Sequence, residues 1–319
     1  MDIQLLALDG VFDTGLSVLL DAFTTANELA ALQGFGSARF EVTVVGMRRR
    51  VHTAQGLTVP VQALAAGSAP DWVVVPALGT KMPGPLVQAL DRADVREAAA
   101  ALASFAGRGI QVGAACIGTF VLAESGVLDG QAATTTWWLA PLFRQRYPRV
   151  KLDETRMLIR SGQVLTAGAA LSHIDLALWL IRQESPSLAA LTARYLIIDP
   201  RPTQSAYIVP DHLSHSDPLV GRFESWARGR LAEGFSLDEA AAALATSKRA
   251  LARRLKQVLG KAPLSYFQDL RVQRAVHLLK TSDQSIELIA AQVGYADGVT
   301  LRTLLRRRLG QGVREIRRG

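Results

Sequence analysis

The most constraining feature of this chain is an internal repeat near its C-terminus. A helix–short turn–helix unit recurs at an offset of 49–50 residues. Leu244 matches Val293, Leu251 matches Leu301, Leu255 matches Leu305 and Gly260 matches Gly310. Each copy carries its own start and stop signals. Ser236-Leu237-Asp238-Glu239 is a capping box opening a helix through Ala245, and Ser247 caps a second helix that ends near Gly260. In the second copy Ser285 caps Ile286–Val293, which stops at Gly294, and Asp297 caps a helix running to Leu309. Between the copies, Pro263–Lys280 reads as one helix with proline at its start, about 27 Å long at about 1.5 Å per residue.

Charge follows the same division. The 319 residues carry a net charge of +8. Residues 219–319 hold 19 Lys and Arg against 9 Asp and Glu, a net +10; residues 1–218 hold 17 against 19, a net −2. A basic tail on a near-neutral segment points to a polyanion partner, most often nucleic acid, with a solvated basic surface as the plain alternative. In each helix pair the second helix is the charged one: Lys248, Arg249, Arg253, Arg254 and Lys256, then Arg302, Arg306, Arg307 and Arg308.

The length suggests two domains at roughly 100–200 residues each. A composition of 49% hydrophobic and 20% charged residues excludes a disordered chain, a collagen-like repeat and a disulfide scaffold. A single cysteine excludes an internal disulfide and a cysteine zinc cluster. No run approaches the ~18 apolar residues of a membrane span, and Met1-Asp2-Ile3 lacks a basic signal-peptide start. The expected compartment is the cytosol, with no membrane partner, metal or cofactor. The expected division is residues 1–198, a proline- and polar-rich linker over 199–218 with packed positions at Tyr207 and Ile208, and residues 219–319.

Strands and helices alternate through the first part. Ile3–Leu8, Phe40–Val45, Asp71–Pro76, Ile110–Ala115 and Val164–Thr166 read as strands; Asp13–Leu32, Val95–Ala106, Ile117–Glu124 and Leu171–Gln183 read as helices. This predicts an α/β fold, a parallel sheet flanked by helices in flavodoxin-like fashion, followed by an all-α domain with two helix-turn-helix units. Ligands in such sheets sit at the carboxyl ends of the strands.

Cys116 falls at such a place, in the strand–turn–helix run Val112-Gly113-Ala114-Ala115-Cys116-Ile117-Gly118. A helix N-terminus lowers a thiol's pKa, which suits a nucleophile elbow. A buried cysteine acting as a small hydrophobe is the equal alternative. Several pieces resemble the PfpI-type, class I glutamine-amidotransferase-like domain: Val73–Gly79, Gly113–Gly118, Ala133–Trp137, Thr166–Gly168 and Ile174–Leu178. Ala133–Trp137, and Thr166–Gly168 together with Ile174–Leu178, are like the GlxA subgroup, in which this domain precedes a DNA-binding one. Hydrolytic relatives carry a histidine after the cysteine, where this chain has Ile117; Thr136 replaces a histidine often found before Trp137. A cysteine needs a base within reach for covalent catalysis. The resemblance therefore implies a retained pocket without hydrolysis, and no catalytic residue is assigned. The expected lining is Asp13, Thr14, Gly79, Thr80, Cys116, Ile117, Thr136, Trp137 and His173. Asp13 would hydrogen-bond the thiol or cap the following helix, and His173 would line the pocket or serve structure. Of Trp137 and Trp138, at most one would face the pocket.

The C-terminal repeat resembles the AraC/XylS-type DNA-binding domain over residues 220–319. The matching stretches are Ala245–Leu255, Gly260–Pro263, Tyr266, Arg271–Ala275, Ile286, Ile289-Ala290, Val293–Tyr295 and Gly310. The resemblance implies that each second helix enters a major groove, so that one chain contacts two successive grooves near the ~34 Å spacing of a DNA turn. Ser247 and Lys248 open the first reading helix. By position Arg249 and Arg253 face bases in the first unit, as Val299, Thr300 and Thr303 do in the second. Arg254, Arg302 and Arg306 go to phosphate. The run Leu304–Arg308 departs from the family's usual aromatic-containing one. The implied protein is a transcription regulator, most often an activator, with promoter DNA, a small and perhaps nitrogenous effector, RNA polymerase and a second copy of itself as partners. A cysteine hydrolase or amidase fused to a DNA-binding domain, and a regulator sensing redox state through Cys116, are the alternatives.

Overall fold

The computed structural model describes residues 1–34, 39–65, 67–201, 203–204, 207–208 and 217–318. Two compact units divide the chain, Met1–Ile208 and Val209–Gly319.

In the first unit the order is β1 (Asp2–Leu6), α1 (Asp13–Gln33), β2 (Glu41–Gly46), β3 (Arg50–His52), β4 (Thr58–Pro60), β5 (Gln62–Ala63), β6 (Trp72–Val75), α2 (Pro83–Leu90), α3 (Ala93–Gly107), β7 (Gln111–Ala115), α4 (Gly118–Glu124), β8 (Ala132–Ala133), α5 (Ala140–Arg146), β9 (Lys151–Leu152), β10 (Leu158–Ser161), β11 (Val164–Ala167), α6 (Ser172–Glu184) and α7 (Pro186–Tyr195). The main sheet runs β10-β11-β7-β6-β1-β2-β5. Its five central strands, β2-β1-β6-β7-β11, are parallel and follow the flavodoxin-like order, whose switch point falls between β1 and β6. Register sets Ile3 beside Trp72, Val73 beside Val112 and Ala114 beside Thr166.

Trp72–Val75 is buried throughout because helices cover both faces of the sheet. Leu86, Leu102, Phe105, Phe120 and Phe143 build one layer from α2–α5. Leu19, Phe23, Leu176, Leu180 and Leu188 build the other from α1, α6 and α7. Each such side chain contributes about 1.5–3 kcal/mol by leaving water.

The alternation of sequence missed β10, which pairs antiparallel with β11 around Gly162. An edge hairpin strand of four part-exposed residues carries no continuous apolar run. It also missed α7, capped by Ser185, whose hydroxyl accepts the Leu188 amide at 3.2 Å. The turn from β7 into α4 requires Gly118: a Cβ there would overlap the carbonyl oxygens of Val75 and Pro76.

The second unit comprises α8 (Pro218–Arg228), α9 (Leu237–Ala243), α10 (Lys248–Leu259), α11 (Pro263–Thr281), α12 (Ile286–Gln292), α13 (Gly298–Leu309) and α14 (Val313–Arg318). Helices α9–α10 and α12–α13 are the two repeats. All four predicted caps form: Ser236, Ser247, Ser285 and Asp297 accept the amides of Glu239, Ala250, Leu288 and Thr300. Both second helices end at a left-handed glycine, Gly260 (φ 68°) and Gly310 (φ 72°). The inter-helix turns match too, with Gly294 at φ 79° where the first unit has Ala245 at φ 50°.

Helix α11 buries Tyr266, Phe267, Leu270, Ala275 and Leu279. Arg271 is buried against the rings of Phe267 and Tyr295 and donates to the Leu231 carbonyl at 2.9 Å.

In the expected linker, residues 202, 205–206 and 209–216 lie outside the described residues. Tyr207, expected to pack, is 60% exposed; among the described residues of that stretch Gln204 and Asp217 are buried. An aromatic ring reads as core in a sequence, but here hydrogen bonds rather than apolar burial hold the segment.

Two substitutions check these turns through the urea midpoint at constant m-value. Ala245→Gly is expected to stabilise the C-terminal unit by about 1 kcal/mol, because a non-glycine left-handed residue costs about that much. Gly118→Ala is expected to destabilise the N-terminal unit by about 1–3 kcal/mol through backbone overlap.

Candidate functional site

The carboxyl ends of β6, β7 and β11 meet at the elbow formed by Cys116. It occupies a left-handed conformation (φ 55°) between β7 and α4, a sharp elbow of the kind that presents nucleophiles. Its amide donates to the Ala167 carbonyl at 2.9 Å, and its carbonyl accepts the Thr135 hydroxyl at 2.7 Å.

The helix N-terminus does not lower this thiol as expected. Burial pushes Cys116 up to about 11, against the opposing pull of the Ile117 and Ala170 amides, the Thr136 hydroxyl and the Lys81 charge. The field of a helix end contributes about 0.3–1 kcal/mol, less than the 1.36 kcal/mol that moves a pKa by one. Taking the thiolate out of water costs more. At neutral pH Cys116 is a neutral, 3% exposed side chain.

His173 is no base for it. The Ala77 amide donates to His173 Nε2 at 3.1 Å, and Nδ1 donates to the Ala170 carbonyl at 2.7 Å. Both ring nitrogens are engaged, the ring is fully buried, and desolvation pushes its pKa down to about 4. The imidazole lies against Gly15, where any side chain would strike it, and near the Phe12 ring. Its role is to tie α6 to the end of β6. Ile117 is buried and offers no chemistry.

Asp13 does not cap α1; Phe12 holds the cap position, without a side-chain bond. Asp13 Oδ2 instead accepts the Gln55 amide at 3.1 Å, and Oδ1 is buried without a partner. Gly79 donates to Gly10 O at 2.8 Å and lies so close to Ala54 that no side chain fits. Thr80 Oγ1 and Thr136 Oγ1 are buried and make no hydrogen bond of normal geometry. Thr14 is exposed. Trp137 is half-buried and edge-on to Trp138, whose Nε1 donates to Lys81 O at 3.2 Å.

Cys116, Thr136 and the Ala170 amide are thus gathered at one point, and Asp13 and Gly79 flank the 53–56 loop. Sequence reasoning missed Lys81, Thr135, Ala170 and Gln204. The family motifs quoted for this domain do not include Lys81, Ala170 or Gln204, and Thr135 entered them only within a run.

The second helices of the two pairs, α10 and α13, are amphipathic, burying Leu251, Leu255 and Val258 in the first and Leu301 and Leu305 in the second. Ser247, Lys248, Arg249, Arg253 and Arg254 are exposed on α10 or at its cap, as are Val299, Thr300, Arg302, Thr303 and Arg306 on α13. Lys248 pairs with Asp238 (2.8 Å) and Arg302 with Glu287 (3.1 Å) across their own units. Such exposed pairs contribute about 0–1 kcal/mol and yield readily to a phosphate. Arg249, Arg253 and Arg306 have no ion-pair partner among the described residues, and Arg222 on α8 adds a cation that the sequence reading omitted.

Arg254 differs. It pairs with Asp217, a 3% exposed carboxylate that caps α8 by accepting the Leu219 and Val220 amides. Burial opposes ionisation of Asp217, but the Val220 amide, Arg254 and the Leu219 amide outweigh it and hold the carboxyl below its usual range.

These features define an α/β domain with a cysteine elbow, followed by paired helix-turn-helix units. Residues 1–183 match the DJ-1/PfpI family model and residues 240–319 the helix-turn-helix domain model. The chain belongs to the DJ-1/PfpI family, with an AraC-type helix-turn-helix region behind that domain. The HTH-type transcriptional regulator GbdR of Pseudomonas aeruginosa is 28% identical over 234 residues, 72% of this chain and 64% of GbdR, so less than two thirds of that relative is matched. The HTH-type transcriptional activator RhaS of Escherichia fergusonii is 39% identical over 105 residues, 33% of this chain and 38% of RhaS. A crystal structure of an AraC family transcriptional regulator from Pseudomonas putida shares the fold at a TM-score of 0.50 and 22% identity, covering 61% of this chain and 98% of that one.

The buried histidine makes stability depend on pH. Its folded pKa lies below the unfolded ~6.5, so the unfolded chain binds the extra proton first. Stability is complete above pH 6.5 and is lost as pH falls toward 4, on the order of 3 kcal/mol. Urea titrations of the wild type and His173→Gln are expected to differ in slope over that window. Native Cys116 is expected to resist thiol reagents at pH 8 and to react promptly once unfolded.

Proposed function

We propose that this protein is a DNA-binding transcription regulator whose DJ-1/PfpI domain senses a small metabolite without turning it over. The observation that carries the DNA-binding half is the repeated helix pair with an exposed, basic second helix in each copy. Arg249 and Arg253 take base edges in one major groove; Val299, Thr300 and Thr303 do so in the next. Lys248, Arg302 and Arg306 neutralise phosphates, and Ser247 fixes the start of α10 by its cap. Arg254 is assigned a holding role through Asp217 alongside any phosphate contact. Helix α11, at 19 residues about 28 Å long, spaces the two units for successive grooves on one face. The named relatives are transcriptional regulators, and RhaS is an activator; activation is the reading adopted here, with a homodimer as the working form.

The sensing half rests on Asp13, Thr14, Gly79, Thr80, Cys116, Thr136 and Trp137, with Ile117 and His173 shaping the walls. The unpartnered oxygens of Asp13 and Thr80 favour a ligand that brings N–H donors. A protonated nitrogenous metabolite meets that need. A thiol hydrolase or a redox switch would require a reactive thiolate; a buried thiol near 11, with no free base beside it, opposes both.

An operator recovered by in vitro selection with the full chain tests the DNA assignment. Arg249→Ala/Arg253→Ala is expected to weaken its binding by about 2 kcal/mol or more and to flatten the salt dependence. Unchanged affinity and salt slope would defeat the assignment. Cys116→Ala is expected to leave promoter output intact, and wild-type turnover of amides abolished by this substitution would establish the enzyme instead.

A further inference from the structure

Both flanks of residues 205–216 are held by buried polar residues, and each grips a part to which a function is assigned above. On the C-terminal flank, Asp217 holds Arg254 of the first reading helix. On the N-terminal flank, Gln204 is 1% exposed although it stands in a polar stretch. Its Nε2 donates to the Thr135 carbonyl (3.0 Å), Thr134 Oγ1 (3.2 Å) and the Arg156 carbonyl (3.2 Å), and its Oε1 accepts the Ala169 amide (2.9 Å). Gly168 has no room for a side chain because the Gln204 amide fills that space. The chain beside it is pinned as well: the Gln204 amide and Thr203 Oγ1 both donate to the Thr155 carbonyl, Thr203 bridges antiparallel to Arg156, and Arg201 pairs with Asp175.

The residues Gln204 grips are sequence neighbours of the Cys116 surroundings. Thr135 precedes Thr136 and itself donates to the Cys116 carbonyl; Ala169 precedes Ala170, whose carbonyl holds His173 and whose amide reaches the thiol. A ligand that shifts Thr136 or Ala170 must disturb the Gln204 bonds or be disturbed by them.

We propose that Gln204 is the positioning residue that couples the effector site to the segment leading into the DNA-binding unit: its docked and undocked states carry different affinities for operator DNA. This rests on the regulator reading above. The two states differ in discrete hydrogen bonds, which gives the two-state element that any such coupling needs.

The test locks and unlocks the segment in the full chain. Arg156→Cys/Thr203→Cys places a cysteine pair across an antiparallel bridge, within disulfide reach; the native Cys116 is buried and does not compete. Gln204→Ala removes the latch. Affinity for the selected operator is measured for the wild type, the pair oxidised and reduced, and Gln204→Ala. Expected is a difference of about fivefold or more between the oxidised pair and Gln204→Ala, on opposite sides of the wild type. Oxidation in the Gln204→Ala background is expected to restore the locked value, which a merely structural role for Gln204 would not produce. If Gln204→Ala fails to fold, the oxidised and reduced pair alone decides. Equal operator affinities in all forms would overturn the coupling and leave the regulator reading intact. A wild type that selects no DNA would overturn both.

Discussion

Cys116 and His173 are both buried at the carboxyl ends of the parallel strands, and the cost of placing a charge there weighs on the N-terminal unit. The thiol is pushed up and the imidazole down, so both are neutral at ordinary pH. A parallel sheet covered on both faces keeps its strands in a low-dielectric interior. The same burial disfavours the thiolate, and hydrogen bonds to Ala77 and Ala170 occupy both nitrogens of the imidazole. Around them stand a left-handed elbow, the Ile117 and Ala170 amides and the unpartnered oxygens of Asp13 and Thr80.

The C-terminal unit solves the opposite problem. It must keep many cations exposed while each helix buries an apolar stripe. Leu251 and Leu255, with their counterparts Leu301 and Leu305, anchor the reading helices, and the intervening positions are left to arginine and lysine. Intra-unit pairs such as Lys248–Asp238 and Arg302–Glu287 moderate the repulsion without sequestering the charge. Asp217–Arg254 departs from this pattern because its acid is buried and also caps a helix, so it fastens α8 to α10.

Much of this was legible in order along the chain. Capping residues announce themselves because their bonds reach only three residues ahead; Ser236, Ser247, Ser285 and Asp297 all form as read. The five parallel strands were legible as short apolar runs. β10 and α7 were not, since a part-exposed edge strand and a short helix have little periodicity. Among site residues, Asp13 was open between bonding the thiol and capping α1; it does not cap, and its Oδ2 accepts the Gln55 amide. Cys116 was open between reactive thiol and small hydrophobe, and its burial, which pushes the thiol up to about 11, could not be read from the sequence.

The sequence by itself determined the repeat, the charge division, the cysteine elbow and the family resemblance, because each is written in local spacing. Only the tertiary structure decided the protonation of Cys116 and His173, the capture of Arg254 by Asp217 and the burial of Gln204. Those depend on desolvation and on hydrogen bonds between residues tens of positions apart, which no local pattern encodes.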